Sequence, residues 1–169
     1  GCSKLQFSLN TSELDDSAIL ALRSIRSAIT LMACIALVSD VPLDETGIDV
    51  VATAVGASAC WESALRTWRR AEGGAPSTDA PVRFRCSAVR DGRHAFSSPA
   101  LAAEVGAAVH DRFGGLWVVN LADYDAEVCV LLLANEAVAG LSLAGRGARM
   151  RGARRVSQHA CPCCIAHGR

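Results

Sequence analysis

Leu5, Phe7 and Leu9 alternate with polar neighbours, which is the two-residue period of a half-buried strand. Thr11 and Ser12 then offer capping hydroxyls, and Glu13, Asp15 and Asp16 put acid in a first helical turn. Leu14, Ile19 and Leu22 recur near a helical spacing, so a short helix is predicted. The run Ala28 to Val38 is apolar apart from Thr30 and ends at the turn-like Ser39-Asp40-Val41-Pro42. It reads as a buried strand. At 11 residues it is well short of the roughly 20 that cross a bilayer.

From Gly47 to Ala71 the pattern turns helical, with Val50, Val51, Val55 and Ala59 leading into Trp61, Leu65 and Trp68. Arg66, Arg69 and Arg70 lie where cations suit a helix C-terminus. One helical stretch is predicted there, followed by a linker over Glu72 to Ala80. Val82 to Ala88 alternates strictly, sending Val82, Phe84, Cys86 and Ala88 to one face and Arg83, Arg85 and Ser87 to the other. Ser98 before Pro99 marks a helix start. Leu101, Val105, Val109 and Phe113 recur every four residues until Gly114-Gly115. Strands are predicted at Leu116 to Leu121, at Val128 to Leu133, apolar enough for burial on both faces, and at Ala137 to Leu143 after a turn at Asn135.

The fold class is therefore α/β, in α+β layers with helices packed on a mixed sheet. Residues 1–46 have the strand, helix, strand order of half a ferredoxin-like unit, whose other half would precede Gly1. A second unit spans 47–145: a helical lead-in at 47–71, the linker at 72–80 and a sheet core at 81–145.

Composition adds constraints. The chain has 169 residues, 51% of them hydrophobic and 20% charged, with a formal net charge of zero, which excludes a polyelectrolyte or a collagen. The neutrality is uneven. Residues 1–80 carry six basic and ten acidic side chains, 81–142 five and seven, and 143–169 six and none. The last six are Arg146, Arg149, Arg151, Arg154, Arg155 and Arg169, so 146–169 reads as a basic, disordered tail.

Of eight cysteines, Cys2, Cys34, Cys60, Cys86 and Cys129 are scattered singly in apolar stretches, as in a reducing compartment. Cys161, Cys163 and Cys164, between His159 and His167, form one half of a zinc motif with no second pair, so no metal site is assigned. A first apolar stretch without a basic leader or cleavage site points to a cytoplasmic or nuclear protein that is neither secreted nor membrane-bound. A first residue that is Gly1 reads as a fragment or processed product.

The densest chemistry is Arg90-Asp91-Gly92-Arg93-His94-Ala95-Phe96-Ser97-Ser98. It joins two cations, a permissive glycine, a histidine, an aromatic ring and two hydroxyls to the free N–H groups of a helix start. Such a place receives phosphate. The alternative is a capped helix after a turn whose charges are merely solvated. No nucleophile is paired with a base at plausible spacing, so no catalytic residue is assigned.

Phe84-Arg85, the G-x-H-x-F-S-S core of Arg90 to Ser98, Glu104-Val105-Gly106, Trp117, Asp125-Ala126-Glu127-Val128 and Gly140-Leu141-Ser142-Leu143 together resemble the THUMP domain of RNA-modifying enzymes. Among these the sequence is similar to the THUMP-containing tRNA guanine-N2 methyltransferases, in which a partial ferredoxin-like domain and a Trp-bearing helix precede the THUMP sheet. The resemblance spans Leu5 to Leu143.

It implies a portion that binds the tRNA acceptor region and its single-stranded 3′ end, while a separate S-adenosylmethionine-dependent domain performs the methyl transfer. It also implies a small methyltransferase-activator protein as a further partner. The residues matched are Arg85, Arg90, Gly92, His94, Phe96, Ser97 and Ser98; Arg83 and Arg93 join them on physical grounds, and Phe96 suits a core anchor as well as a stacking platform. Where the family carries a Lys after the Trp, then Asp, then Asn, this chain has Val118, Asn120 and Asp123, which removes one positive charge from that rim. A Gly-rich cofactor loop and a catalytic N/D-P-P-Y/F motif are not found; Gly145-Arg146-Gly147 is a lone G-x-G. The chain alone thus carries no cofactor and no chemistry. A second reading is a THUMP adaptor that presents tRNA to another enzyme.

Overall fold

Strand β4 (Ala126–Leu133) is the axis of the fold. Ala126, Val128 and Leu132 are fully buried on one face, and Glu127 and Cys129 are buried on the other. In the computed structural model, which describes residues 17, 18, 21, 31–72 and 80–143, β4 lies in a five-stranded mixed sheet of order β1-β5-β4-β2-β3. The other strands are β1 (Met32–Val38), β2 (Val82–Asp91), β3 (Trp117–Val119) and β5 (Glu136–Ser142). β4 runs parallel to β2 and antiparallel to β5; β2 also pairs in parallel with β3, and β5 antiparallel with β1. Three helices, α1 (Thr46–Ala57), α2 (Trp61–Ala71) and α3 (Ser98–Phe113), pack on the sheet. The α/β layering read from the sequence is what the structure contains.

β1 belongs to residues 1–46 by sequence, and here it is the edge strand of the same sheet as β2 to β5. Ser17, Ala18 and Ala21 are helical, within the helix predicted after Thr11. The strand at Leu5 to Leu9, most of the linker and the basic tail with its cysteine cluster lie outside the described residues.

The single helix predicted from Gly47 to Ala71 is two helices bent by 74°. Ser58 is extended (φ −59, ψ 133), which ends α1 and leaves the Val55 carbonyl without a helical partner. The Ser58 amide and, at 2.7 Å, the Trp61 indole N–H donate to it. Trp61 is 1% exposed and meets Phe113 and Trp117 edge-on, at 5.0 and 5.9 Å between centroids. Trp117 stacks on Phe113 at 4.8 Å and tilts against Phe84 at 5.4 Å. This aromatic cluster joins α2, α3, β2 and β3. Periodicity alone did not show that Trp61 belongs to it. No single helix among the described residues is long and apolar enough to cross a membrane.

Two other boundaries move for local reasons. Ser97, one residue earlier than predicted, caps α3 by accepting the Ala100 amide at 3.2 Å, with Pro99 in the first turn. β3 stops at Val119 because the Asn120 side chain accepts the amides of Ala122 and Asp123, at 3.1 and 2.9 Å, and turns the chain.

At the opposite edge, β1 and β5 approach closely at Gly140. A Cβ there would lie 2.6 Å from the Ala33 carbonyl oxygen and 2.8 Å from Met32 Cγ. Gly140→Ala should therefore lower the unfolding free energy by about 1–3 kcal/mol. Gly106→Ala is the comparison, because its Cβ would meet Cys86 Cβ at an ordinary 3.6 Å; it should leave stability unchanged or raise it by up to about 1 kcal/mol. Denaturant unfolding of both variants checks this, and equal stability would mean that β1 is not held so close to β5.

Candidate nucleic-acid interface

β2 carries Arg83 and Arg85 on the face away from the helices, as its alternation predicts, and β4 answers them with acid. The parallel register sets Arg85 beside Glu127. Glu127 Oε1 accepts Arg85 Nε at 3.0 Å, Arg85 Nη2 at 2.7 Å and the Ser87 hydroxyl at 3.0 Å, and the Arg85 guanidinium lies 4.2 Å over the Tyr124 ring. Arg83 donates to both oxygens of Asp125, at 3.0 and 2.9 Å, and also to Asp123. These bonds, those to Asp125 first, hold its guanidinium proton more tightly than usual. Underneath, burial pushes the Cys86 thiol up to about 12, with Cys129 and Glu127 adding to the shift.

Two cations facing three carboxylates leave this patch net negative. Arg83 and Arg85 are thus spent on holding β2 to β4. The sequence signal for the pairing is the alternation Asp123, Asp125, Glu127, which mirrors Arg83, Arg85 once the strands are parallel.

The remaining candidates lie at the other end of β2, where Arg90 is roughly 23 Å along the strand from Arg83. Arg90 and Asp91 are strand residues rather than loop residues. Gly92 turns the chain at φ 125, a conformation that suits glycine, and a Cβ there would come within 3.1 Å of the His94 ring and 3.4 Å of Ala134 Cα. The ring of His94 turns inward: Nε2–H donates to the Ala134 carbonyl at 2.6 Å, and the ring tilts against Phe96 at 5.3 Å. Phe96 is 5% exposed and part of the core. It is an anchor, and it offers no face on which a base could stack. Ser97 caps α3, Ser98 begins it, and Arg93 is exposed. Arg90 and Arg93 form no ion pair among the described residues.

Three connections are tied together at this end. The Ala95 amide donates to the Leu43 carbonyl at 2.7 Å, Val41 to Asn135 at 2.8 Å and Ala134 to Asp91 at 2.8 Å. β1 and β2 point the same way, so α1 and α3 both start here. Their N-termini differ electrostatically. Asp44 caps α1, accepting the Thr46 amide at 3.0 Å, and Glu45 and Asp49 follow; α3 has no acid in its first turn. Arg90 and Arg93 precede the start of α3 in the chain, with the exposed Asp91 between them, and the acidic start of α1 lies at the same end of the sheet. A groove of about 320 Å³ between α1 and α3, bordered by Asp49, Glu104 and Asp111, also disfavours a polyanion away from the α3 start.

Two strand-to-helix connections are described, and only Gly92 in the second is a glycine. They do not fit the Gly-rich loop that S-adenosylmethionine would need, and the lone G-x-G lies outside the described residues.

Neither a family model nor a curated protein matches this sequence. Among solved structures, the chain is similar to part of the crystal structure of TrmN from Thermus thermophilus, with 32% identity and a TM-score of 0.35 over 48% of this chain and 25% of that one. It is similar as well to part of PH1313 from Pyrococcus horikoshii (15% identity, TM-score 0.48, 77% of this chain and 38% of that one). A third is a predicted N6-adenine-specific DNA methylase from Listeria monocytogenes (16% identity, TM-score 0.49, 76% of this chain and 30% of that one). The chain spans between 25% and 38% of the length of these proteins.

The ion pairs differ in burial, and this separates their contributions. The Glu127 side chain is 11% exposed and Asp123 73%. Glu127→Ala strands a half-buried guanidinium and should cost about 2–4 kcal/mol, whereas Asp123→Ala should cost less than about 1 kcal/mol. Chemical denaturation of the two variants measures the difference, and a small loss for Glu127→Ala would mean that the β2–β4 register is held by backbone and apolar contacts alone.

Proposed function

We propose that this chain is the RNA-binding portion of a THUMP-containing, S-adenosylmethionine-dependent tRNA guanine-N2 methyltransferase, and that it grips the acceptor end of tRNA at the junction of β2 and α3. The observation that carries the proposal is the pairing of Arg90 and Arg93, free of ion pairs among the described residues, with a helix N-terminus that has no acid in its first turn. Phosphate binds where backbone N–H groups and guanidinium donors converge. The junction lies beyond the carboxyl ends of parallel strands, where open α/β sheets collect ligands. The THUMP-like motif from Gly92 to Ser98 covers the same residues, and it supplies tRNA as the RNA and guanine-N2 methylation as the activity of the longer protein.

Within this reading the residues divide by role. Arg90 and Arg93 contact phosphate, and the start of α3 contributes backbone donors. Gly92 and His94 hold the loop against Ala134, and Phe96 anchors it in the core. Arg83 and Arg85 act through the sheet.

A titration with tRNA at several salt concentrations tests the proposal. Affinity should fall steeply with salt, with each phosphate contact contributing about 0.7–0.9 to the logarithmic slope, and should weaken when the 3′-terminal nucleotides are removed. Arg90→Ala and Arg93→Ala should each cost about tenfold and make the slope shallower by about 1, and the double variant should cost more than either. Absent or salt-independent binding would contradict the proposal.

A further inference from the structure

The three helices cover one face of the sheet, where Ile35, Phe84, Val128 and Leu141 join their core. Side chains alternate along a strand, so Cys129, its register partner Gly140, and Ser142 two residues further on belong to the other face. A bare sheet face would leave such small residues open to water. Yet Cys129 is 8% and Ser142 3% exposed, and Gly140 is buried as well. The burial has a direction along the strands. On the same face of β4 and β5, Leu131 and Val138 are only half-buried, and Leu37 and Val89 beside them are 54% and 53% exposed. The closed end is the one where β1 begins and β5 ends, and there the Leu143 amide donates to the Leu31 carbonyl at 2.9 Å.

We propose that residues 12–25 cover this end of the face as an amphipathic helix, which makes the fold three layers deep and joins residues 1–46 to the rest as one unit. The chain that leads into Leu31 arrives at the closed end. Ser17, Ala18 and Ala21 are helical. Leu14, Ala18 and Leu22 recur every four residues and Ile25 follows three later, so the four share one helical face. Ala18 is half-buried while Ser17 and Ala21 are exposed, which is the orientation that this stripe requires. A helix of that length spans about 21 Å, against about 14 Å across β1, β5, β4 and β2. The row that it would cross, Ser87-Cys129-Gly140, has small side chains over which a helix can lie close. Other segments offer no such stripe. Residues 73–79 have Ala75 and Pro76 as their only apolar side chains, and 144–169 carry six arginines, no acid and no apolar repeat.

The test uses the full chain with a photoreactive side chain, Leu22→p-benzoylphenylalanine, irradiated and digested for mass spectrometry. The expected cross-link joins position 22 to β4 or β5. Thiol alkylation gives a second readout, because Cys129 lies on the covered face and Cys86 lies under α3 beside Gly106. Leu22→Asp should raise the alkylation rate of Cys129 about tenfold or more and leave that of Cys86 as it is in the unaltered chain. If Leu22→Asp speeds Cys86 equally, the whole fold has opened and the cross-link decides. Cross-links confined to α1, α2, α3 or the arginine-rich residues 146–169, or a Cys129 rate that Leu22→Asp does not change, would overturn the proposal.

Discussion

The parallel pairing of β2 with β4 has one workable register. With Arg85 beside Glu127, the apolar positions Phe84, Val128 and Leu132 lie under the helices and the charged positions face away from them. A slip of one residue would carry Arg83 and Arg85 toward the helices and turn Phe84 out to solvent. The carboxylates of Asp125 and Glu127 act against such a slip, since each satisfies a guanidinium only in this alignment. β4, buried on both faces, then fixes β5, and β5 fixes β1. The aromatic cluster of Trp61, Phe84, Phe113 and Trp117 closes the helical layer over the start of β2.

The same pairing decides where cationic chemistry is left over. A strand that spends two arginines on three carboxylates presents no attraction to a phosphate. Its far end carries Arg90 and leads through Gly92 to Arg93 and the capped start of α3. The zero net charge is thus an average that includes the six arginines of residues 146–169; among the described residues the outer sheet face and the α1 start are acidic, and Arg90 and Arg93 precede α3. Recognition by such a surface depends on position more than on total charge.

The layers, the strands and α3 could be read from the sequence because they rest on local signals: strict alternation in β2, four-residue spacing in α3, a continuous apolar run in β4. Where the reading failed, the cause was a contact distant in sequence. Nothing local shows that Ser58 donates to Ile35 across 23 residues, so one helix was predicted where the chain bends into two. The site was legible as a segment and not as an arrangement. Arg83 and Arg85 looked like companions of Arg90 and Arg93 because the four are close in sequence, yet an extended strand separates them and long-range acid neutralises the first pair. A loop aromatic such as Phe96 serves in the core or on the surface, and only its burial under distant elements decides between the two.

The central claim is that RNA meets the β2–α3 junction and leaves the arginine face of β2 untouched. Backbone amide shifts of the full chain, followed by NMR during titration with a short single-stranded oligonucleotide ending in a free 3′ hydroxyl, test it residue by residue. The account predicts that the largest changes fall between Arg90 and Ala100, with Arg83, Arg85 and Val118 unmoved. Changes centred on Arg83, Arg85 and Asp125, with the α3 start silent, would contradict it.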